Sequence, residues 1–336
     1  MTEVHDQIAQ MDQWLSGRRV LVTGATGPLG RRMVERLTGK VARLRVLLRN
    51  PSTGFSPQTE IFQGDLSSAQ SLVGVAEGCD TLIHLASYSP LLTDPDPENH
   101  SGHIEITTKG TKHLLEALRT SEIQRIVFAG SVRSLASAAE MSVYGQAKRD
   151  AEQSIFDYAS QRGIHASVVR FPAFYGDPEL GAISAMTRAI SSGRFPPIPE
   201  FGNRRSFIHM DDAVSALLDV VSTDAASGKG FVATDGESYS TRDLYAGILH
   251  SLGRTPPNWT IPRPVFGLLA RVGDVGEFWL RRPLPFNSQV LRKLSESYWF
   301  DDQEIRQVTG YRSKQTIWTM LQIDGIEQGF DVSVIH

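Results

Sequence analysis

Tyr144 and Lys148 stand four residues apart in Tyr144-Gly145-Gln146-Ala147-Lys148, a spacing that puts both side chains on one face of a helix. A phenol titrates near 10 and is a poor base at neutral pH. An ammonium beside it, joined by a positive nicotinamide ring, favours the phenolate and lowers that value. The pair therefore suits proton transfer at an oxygen while a hydride leaves or reaches the carbon bearing it. A hydride carrier is implied by Gly24-Ala25-Thr26-Gly27-Pro28-Leu29-Gly30, which follows the apolar run Arg19-Val20-Leu21-Val22-Thr23. A strand that runs through glycines into a helix makes a turn whose backbone can approach a pyrophosphate, and the helix N-terminus meets the anion. Alone, the glycines could form an ordinary turn, and Tyr144 and Lys148 a surface pair. A strand before the glycines and a helical pattern after them, with Met33, Val34 and Leu37 on one face, favour dinucleotide binding.

These groups need a scaffold, and its pattern is regular. Apolar, β-branched runs at 19–23, 44–48, 81–85, 125–130 and 166–171 alternate with helical patterns at 28–38, 68–76, 103–119 and 144–162. That alternation predicts an α/β fold, a Rossmann doubly wound parallel sheet with helices on both faces. Ligands of such sheets bind outside the carboxyl ends of the strands. After about Tyr175, proline-rich stretches at 194–199 and 254–264 separate short helical patterns, which predicts a smaller interleaved C-terminal substrate lobe. The expected organisation is a helical extension over 1–17, with Val4, Ile8, Met11 and Leu15 at helical spacing. A dinucleotide-binding domain over 18–175 follows, with 203–235 returning to it, and the lobe takes 176–202 and 236–336. A chain of 336 residues can bury a core of that size.

Composition removes several function classes. A net charge of -3 offers no case for nucleic acid or an anionic membrane. No apolar stretch reaches the roughly 20 residues of a membrane span; Arg271, Asp274 and Glu277 interrupt the apolar residues near 268–280, which read as an amphipathic helix. The single cysteine, Cys79, excludes an internal disulfide and reads as a structural thiol. An acidic N-terminus without a basic region argues against a secretory signal, so a cytoplasmic location is expected. His84, His209 and the other histidines lack metal-ligand spacing, and no metal is expected.

Six motifs in order resemble the extended short-chain dehydrogenases/reductases, from about Arg18 to Leu321. They are the loop Thr23–Gly30, Gly64-Asp65-Leu66, His84-Leu85-Ala86-Ser87, the Tyr144/Lys148 pair, Arg170-Phe171-Pro172-Ala173-Phe174-Tyr175-Gly176, and Phe207-Ile208-His209-Met210-Asp211-Asp212. The resemblance implies Tyr144 as acid/base, Lys148 as its modulator and ribose anchor, and Ser131 as stabiliser of the substrate oxygen. It implies cofactor contacts from Gly24, Thr26, Gly27, Pro28, Leu29, Gly30, Asp65, Leu66, Leu85, Ala86, Ser87, Phe171 and Pro172. Asp65 has a second reading, as a turn former before Ser67. Two departures stand out. Only twelve residues separate Ser131 from Tyr144, which leaves Ser134 and Ser142 as other serines to weigh, and Thr107 replaces an asparagine usual in the family.

Arg49 ends the second strand where a carboxylate would bind the ribose of NAD(H). A guanidinium there suits a 2′-phosphate, so NADP(H) is favoured and NAD(H) stays open, with Arg31 and Arg32 adding positive potential. For the substrate, Gly202-Asn203-Arg204-Arg205-Ser206 resembles family members that act on nucleotide-activated sugars. Arg205 would grip the diphosphate or pair with Asp211 or Asp212; Ala173, at the substrate position, departs from the asparagine that many sugar-nucleotide enzymes place there. The absence of an Asp-Glu pair after Ser131 argues against a dehydratase. The reaction expected is 4-keto reduction or 4-epimerisation of such a sugar. The alternatives are a reductase of a non-nucleotide alcohol or ketone, of dihydroflavonol-reductase or hydroxysteroid-dehydrogenase type, and a non-catalytic dinucleotide sensor. The family also implies a homodimer through helices 103–119 and 144–162.

Overall fold

A computed structural model describes residues 2–88, 100–280, 284 and 286–322. Seven parallel strands form its main sheet in the order β3-β2-β1-β4-β5-β6-β9. They are β1 (Arg19–Thr23), β2 (Arg43–Leu48), β3 (Thr59–Gln63), β4 (Thr81–His84), β5 (Arg125–Ser131), β6 (His165–Phe171) and β9 (Lys229–Val232). A second, two-stranded parallel sheet pairs β7 (Ala173–Tyr175) with β8 (Phe207–His209). The chain divides into two compact units, and the main sheet belongs to the first, which comprises 1–172, 210–233 and 302–312.

The central strands of the first unit are buried almost throughout, as parallel strands covered on both faces are. Along β1 every residue from Val20 to Thr23 is buried, and β2 is buried from Leu44 to Leu48. The helices of this unit are α1 (Thr2–Ser16), α2 (Pro28–Leu37), the single turn α3 (His100–Gly102), α4 (Gly110–Ala117), α5 (Val143–Arg162), α7 (Met210–Ser222) and α11 (Gln303–Thr309). Leu114, Leu115 and Leu118 from the α4 region and Ala151, Ile155 and Tyr158 from α5 pack with Leu21, Leu82, Ile126 and Phe128 of the sheet. The expected helix over 68–76 is a 3₁₀ turn, Ala69–Leu72. Gly64 lets this turn lie close against the end of β3, since a Cβ there would lie 2.7 Å from the Ser71 carbonyl oxygen. At the N-terminus, α1 spans Thr2–Ser16. Leu15 is fully buried, the guanidinium of Arg18 lies 4.6 Å from the Trp14 ring centroid, and Lys40 pairs with Asp12 at 2.9 Å; Val4 and Ile8 lie where side chains are not described.

Helix α5 exposes the logic of termination. Ser142 caps α5, accepting the Gly145 N–H at 3.1 Å, and Gly163 ends it at φ +64° with its N–H on the Ala159 carbonyl. Between α3 and α4, residues His103–Lys109 form a π-helix, a widened turn that in other proteins marks functional sites. Cys79 is buried with its thiol pushed up by desolvation, as a structural thiol should be.

The second unit comprises 173–209, 234–301 and 313–336. Its helices are α6 (Ala182–Ser191), α8 (Thr241–Ser251), α9 (Arg263–Leu280), α10 (Ser288–Ser295) and α12 (Ile317–Met320). Its core joins Tyr175, Phe207, Tyr239, Tyr245, Phe266 and Trp318. Among the described residues no helix is long and apolar enough to cross a membrane.

Leu114 tests this packing. It is fully buried where α4 meets the sheet, so Leu114→Ala should destabilise the protein by about 2–5 kcal/mol. Denaturant unfolding followed by circular dichroism measures it; a loss below about 1 kcal/mol would mean that α4 is not part of the core.

Candidate active site

The carboxyl edge of the main sheet collects the residues singled out in the first unit. Thr23 ends β1, Arg49 follows β2, Asp65 follows β3, His84 ends β4, Ser131 ends β5 and Phe171 ends β6. The order reverses between β1 and β4, the crevice where open α/β sheets bind ligands.

The glycine loop is built on close backbone contact. Gly24 sits at φ +73°, and a Cβ there would lie 2.6 Å from the Ala86 nitrogen. A Cβ on Gly30 would lie 2.0 Å from the Gly24 carbonyl oxygen, so α2 starts directly against the loop. Gly27 caps α2 with no side-chain bond and Pro28 takes the first turn. Backbone N–H groups and the positive end of the helix dipole thus face the loop, as a phosphate requires. Arg31 Nε donates to the Thr26 carbonyl at 3.2 Å. Arg32 pairs with Asp211 at 3.1 Å. Arg49 is exposed at the end of β2. The Asp65 carboxylate accepts the Ser67 N–H at 2.9 Å through Oδ1, so its turn-forming role is realised on that oxygen. Leu66 is buried, and its carbonyl accepts from His113 Nδ1 at 2.8 Å.

His84 joins the loop to the helical side of the site. Thr111 Oγ1 donates to the Thr107 carbonyl at 2.6 Å, so it accepts from His84 Nε2 at 3.0 Å. His84 Nδ1 then accepts from Thr23 Oγ1 at 2.6 Å, which in turn accepts the Ala86 N–H at 3.2 Å. The network selects the Nε2–H tautomer. Burial lowers the His84 pKa to about 3, with the charge of Lys148 acting the same way, so the ring is a neutral strut. Thr107 is fully used where an asparagine was expected: its hydroxyl accepts the Tyr88 N–H at 3.0 Å.

The structure places the Ser131 hydroxyl close enough to the Tyr144 phenol to favour its ionised form. Gly145 permits this, since a Cβ there would lie 2.6 Å from the Arg133 carbonyl oxygen and hold the first turn of α5 away. Lys148 is buried one turn further on. Its Nζ donates to the Ala129 carbonyl at 2.7 Å and lies 4.6 Å from the Phe128 ring centroid. Burial lowers its pKa to about 8, opposed by Glu152, so it is mostly charged at neutral pH. One expectation changes here. Among the protein's own groups burial dominates at Tyr144 and pushes the phenol up, the charge of Glu152 adding to it, while the Ser131 hydroxyl and the charge of Arg133 pull it down; the lysine is aimed at the strand instead. The His103 ring meets Tyr144 edge-on, with centroids 5.5 Å apart.

Ala173 opens β7 of the second unit and is exposed. Arg205, in the same unit, forms backbone bridges to Tyr239 and Tyr298, donates from Nη1 to the Lys293 carbonyl at 3.1 Å, and lies 5.3 Å from the Phe207 ring centroid. Asn203 donates to Thr241, Leu294 and Glu296, so this stretch is also a structural tie. Sequence reasoning missed Glu152 and the part played by Ser134. The signal was present, because Glu152 continues the four-residue spacing of Tyr144 and Lys148. Among the described residues no cluster of His, Cys, Asp and Glu could hold a metal ion.

Comparison with known proteins identifies the family. The model of the NAD dependent epimerase/dehydratase family matches residues 20–233. A UDP-glucose 4-epimerase of Vibrio cholerae is 20% identical over 317 residues, covering 89% of this chain and 92% of that protein. A ceramide reductase of Caulobacter vibrioides is 26% identical over 284 residues, covering 83% and 85%. The solved structure of MoeE5 in complex with UDP-glucose and NAD superposes with a TM-score of 0.68 at 21% identity, covering 91% of this chain and 96% of that one.

The His84 strut has a pH signature. A histidine in the unfolded chain titrates near 6.5, whereas folded His84 titrates at about 3. Between those values the unfolded chain binds the proton and the native state does not. The strut's contribution is therefore complete above about pH 6.5 and is lost as pH falls towards 3. His84→Gln should reduce the slope of unfolding free energy against pH by about 1.4 kcal/mol per pH unit between about pH 6 and 4. Denaturant titrations across that range measure it, and an unaltered slope would refute the neutral strut.

Proposed function

The chain belongs to the NAD-dependent epimerase/dehydratase family and is an oxidoreductase or epimerase of that fold. On that footing we propose that it transfers a hydride between NADP(H) and the oxygen-bearing carbon of a nucleotide-activated sugar, by 4-keto reduction or 4-epimerisation. The observation that carries the chemistry is the closeness of the Ser131 hydroxyl to the Tyr144 phenol, one helical turn from a buried, charged Lys148. Residues of the glycine loop and of the strand ends, Gly24 to Gly30 and Leu85 to Ser87, would hold the dinucleotide, whose nicotinamide accepts or supplies the hydride. Phe171 and Pro172 would flank the ring. Tyr144 passes the proton to or from the substrate oxygen, and Ser131 donates to that oxygen as charge develops. Lys148 keeps a positive charge beneath both. A bound nicotinamide cation would add to that field and counter the burial that raises Tyr144.

NADP(H) is favoured over NAD(H) because Arg49, exposed at the end of β2, replaces the carboxylate that would repel a 2′-phosphate. Such a cofactor tilts the reading toward net reduction. The sugar-nucleotide substrate draws support from the Vibrio cholerae relative, from MoeE5 with its UDP-glucose, and from Arg205. Ala173 would border the substrate, and a homodimer through α4 and α5 fits the family. A second reading has its own support. The ceramide reductase relative acts on a lipid by name, and α9 exposes Leu268, Val272, Val275 and Trp279, which suits an apolar alcohol or ketone.

Thermal unfolding with UDP, dTDP or GDP separates the two substrates: stabilisation by one of them is expected, and no shift with any would favour the apolar reading. For the mechanism, Tyr144→Phe should retain NADPH binding, tighter than NADH by fluorescence titration, while turnover falls about 10²–10⁴-fold. Wild-type turnover in that variant would remove Tyr144 from its role.

A further inference from the structure

Helix α5 holds strand β5 at three successive residues. Tyr144 meets the side chain of Ser131, Lys148 donates to the carbonyl of Ala129, and Glu152 lies against Gly130, where a Cβ would be 2.7 Å from Glu152 Oε1. Only a glycine leaves room for that carboxylate. Glu152 is 4% exposed, and both of its oxygens are engaged. Oε1 accepts from Ser134 Oγ at 2.8 Å, and Oε2 accepts from Arg170 Nε at 2.9 Å.

Ser134 gives the carboxylate its reach. The same hydroxyl lies 2.8 Å from the carbonyl oxygen of Ser131, so one proton is shared between Glu152 and the backbone of the serine that faces Tyr144. Arg149 anchors the turn further, donating to the carbonyls of Ser134 and Ala136 at 2.7 Å each. Arg170 is in turn held by the Gly230 carbonyl at 2.9 Å. A carboxylate buried at this depth is retained only where charge and hydrogen bonds compensate its desolvation. Here it stands one helical turn beyond a buried ammonium.

We propose that Glu152 is a positioning residue of the site, holding through Ser134 the strand end that presents Ser131 and supplying the countercharge to Lys148. It touches neither substrate nor cofactor in this role. Around Lys148 the other ionisable groups are Tyr144 on the same helix and His84 from β4, the latter neutral. Arg170 from β6 acts through Glu152, and Arg133 from the turn after β5 acts on Tyr144. Among the described residues Glu152 is therefore the anion that opposes the burial of the lysine.

The inference rests on Tyr144, Ser131 and Lys148 carrying the reaction, but its test needs no substrate. With lysines labelled with carbon-13, the signal missing from Lys148→Met identifies Lys148, and its shift is followed against pH by NMR. Glu152→Gln should lower the midpoint by about one pH unit or more. Arg170→Gln breaks the same ion pair but keeps the carboxylate, and its midpoint should not fall. Should Glu152→Gln fail to fold with Arg170 left uncompensated, Glu152→Gln with Arg170→Met removes both charges and should show the same fall. An unmoved midpoint without the carboxylate, or an equal fall in Arg170→Gln, overturns the proposal. Either result leaves the Tyr144→Phe measurement untouched, so the two readings fail separately.

Discussion

The contact between Tyr144 and Ser131 depends on a helix approaching a strand end more closely than ordinary side chains allow. Gly145 brings the first turn of α5 against the Arg133 carbonyl, and Gly130 leaves space for the Glu152 carboxylate. Between those two points Lys148 reaches the Ala129 carbonyl. Phenol, ammonium and carboxylate thus occupy successive turns of one helix face and address three successive residues of one strand. A chemistry that needs the phenol, the serine and the lysine in fixed relation is met by rigid elements instead of loops.

The same economy of space governs the cofactor side. Gly24 and Gly30 let α2, the loop and the segment after β4 meet at backbone distance. His84 then ties Thr23 of β1 to Thr111 of α4 through a neutral ring. Because that ring loses its proton on burial, it links the two halves of the crevice without adding positive charge near Lys148. The departure at Thr107 belongs to this network, where a hydroxyl and a widened helical turn take the place of an amide. Polar groups buried so deeply are tolerable because each one described in this network has a partner.

Much of this was written in the residues themselves. Periodicity marks β1, β2, β4, β5 and β6, since parallel strands covered on both faces read as apolar runs. Glycine spacing and the Tyr144/Lys148 interval mark the two halves of the candidate site, because a tight glycine turn and a shared helix face are local properties. Less visible were β3, whose Ile61 and Phe62 sit among polar residues at the sheet edge, and β9, whose four residues carry only one fully buried side chain. The π-helix leaves no pattern of its own, since its register is set by packing against α5. The tertiary structure alone decided that Ser131 and not Ser134 meets Tyr144, that the Lys148 ammonium faces β5, and that burial acts on the phenol more strongly than the protein's own charges. Those are outcomes of distance and desolvation between segments remote in the chain, quantities that no local spacing encodes.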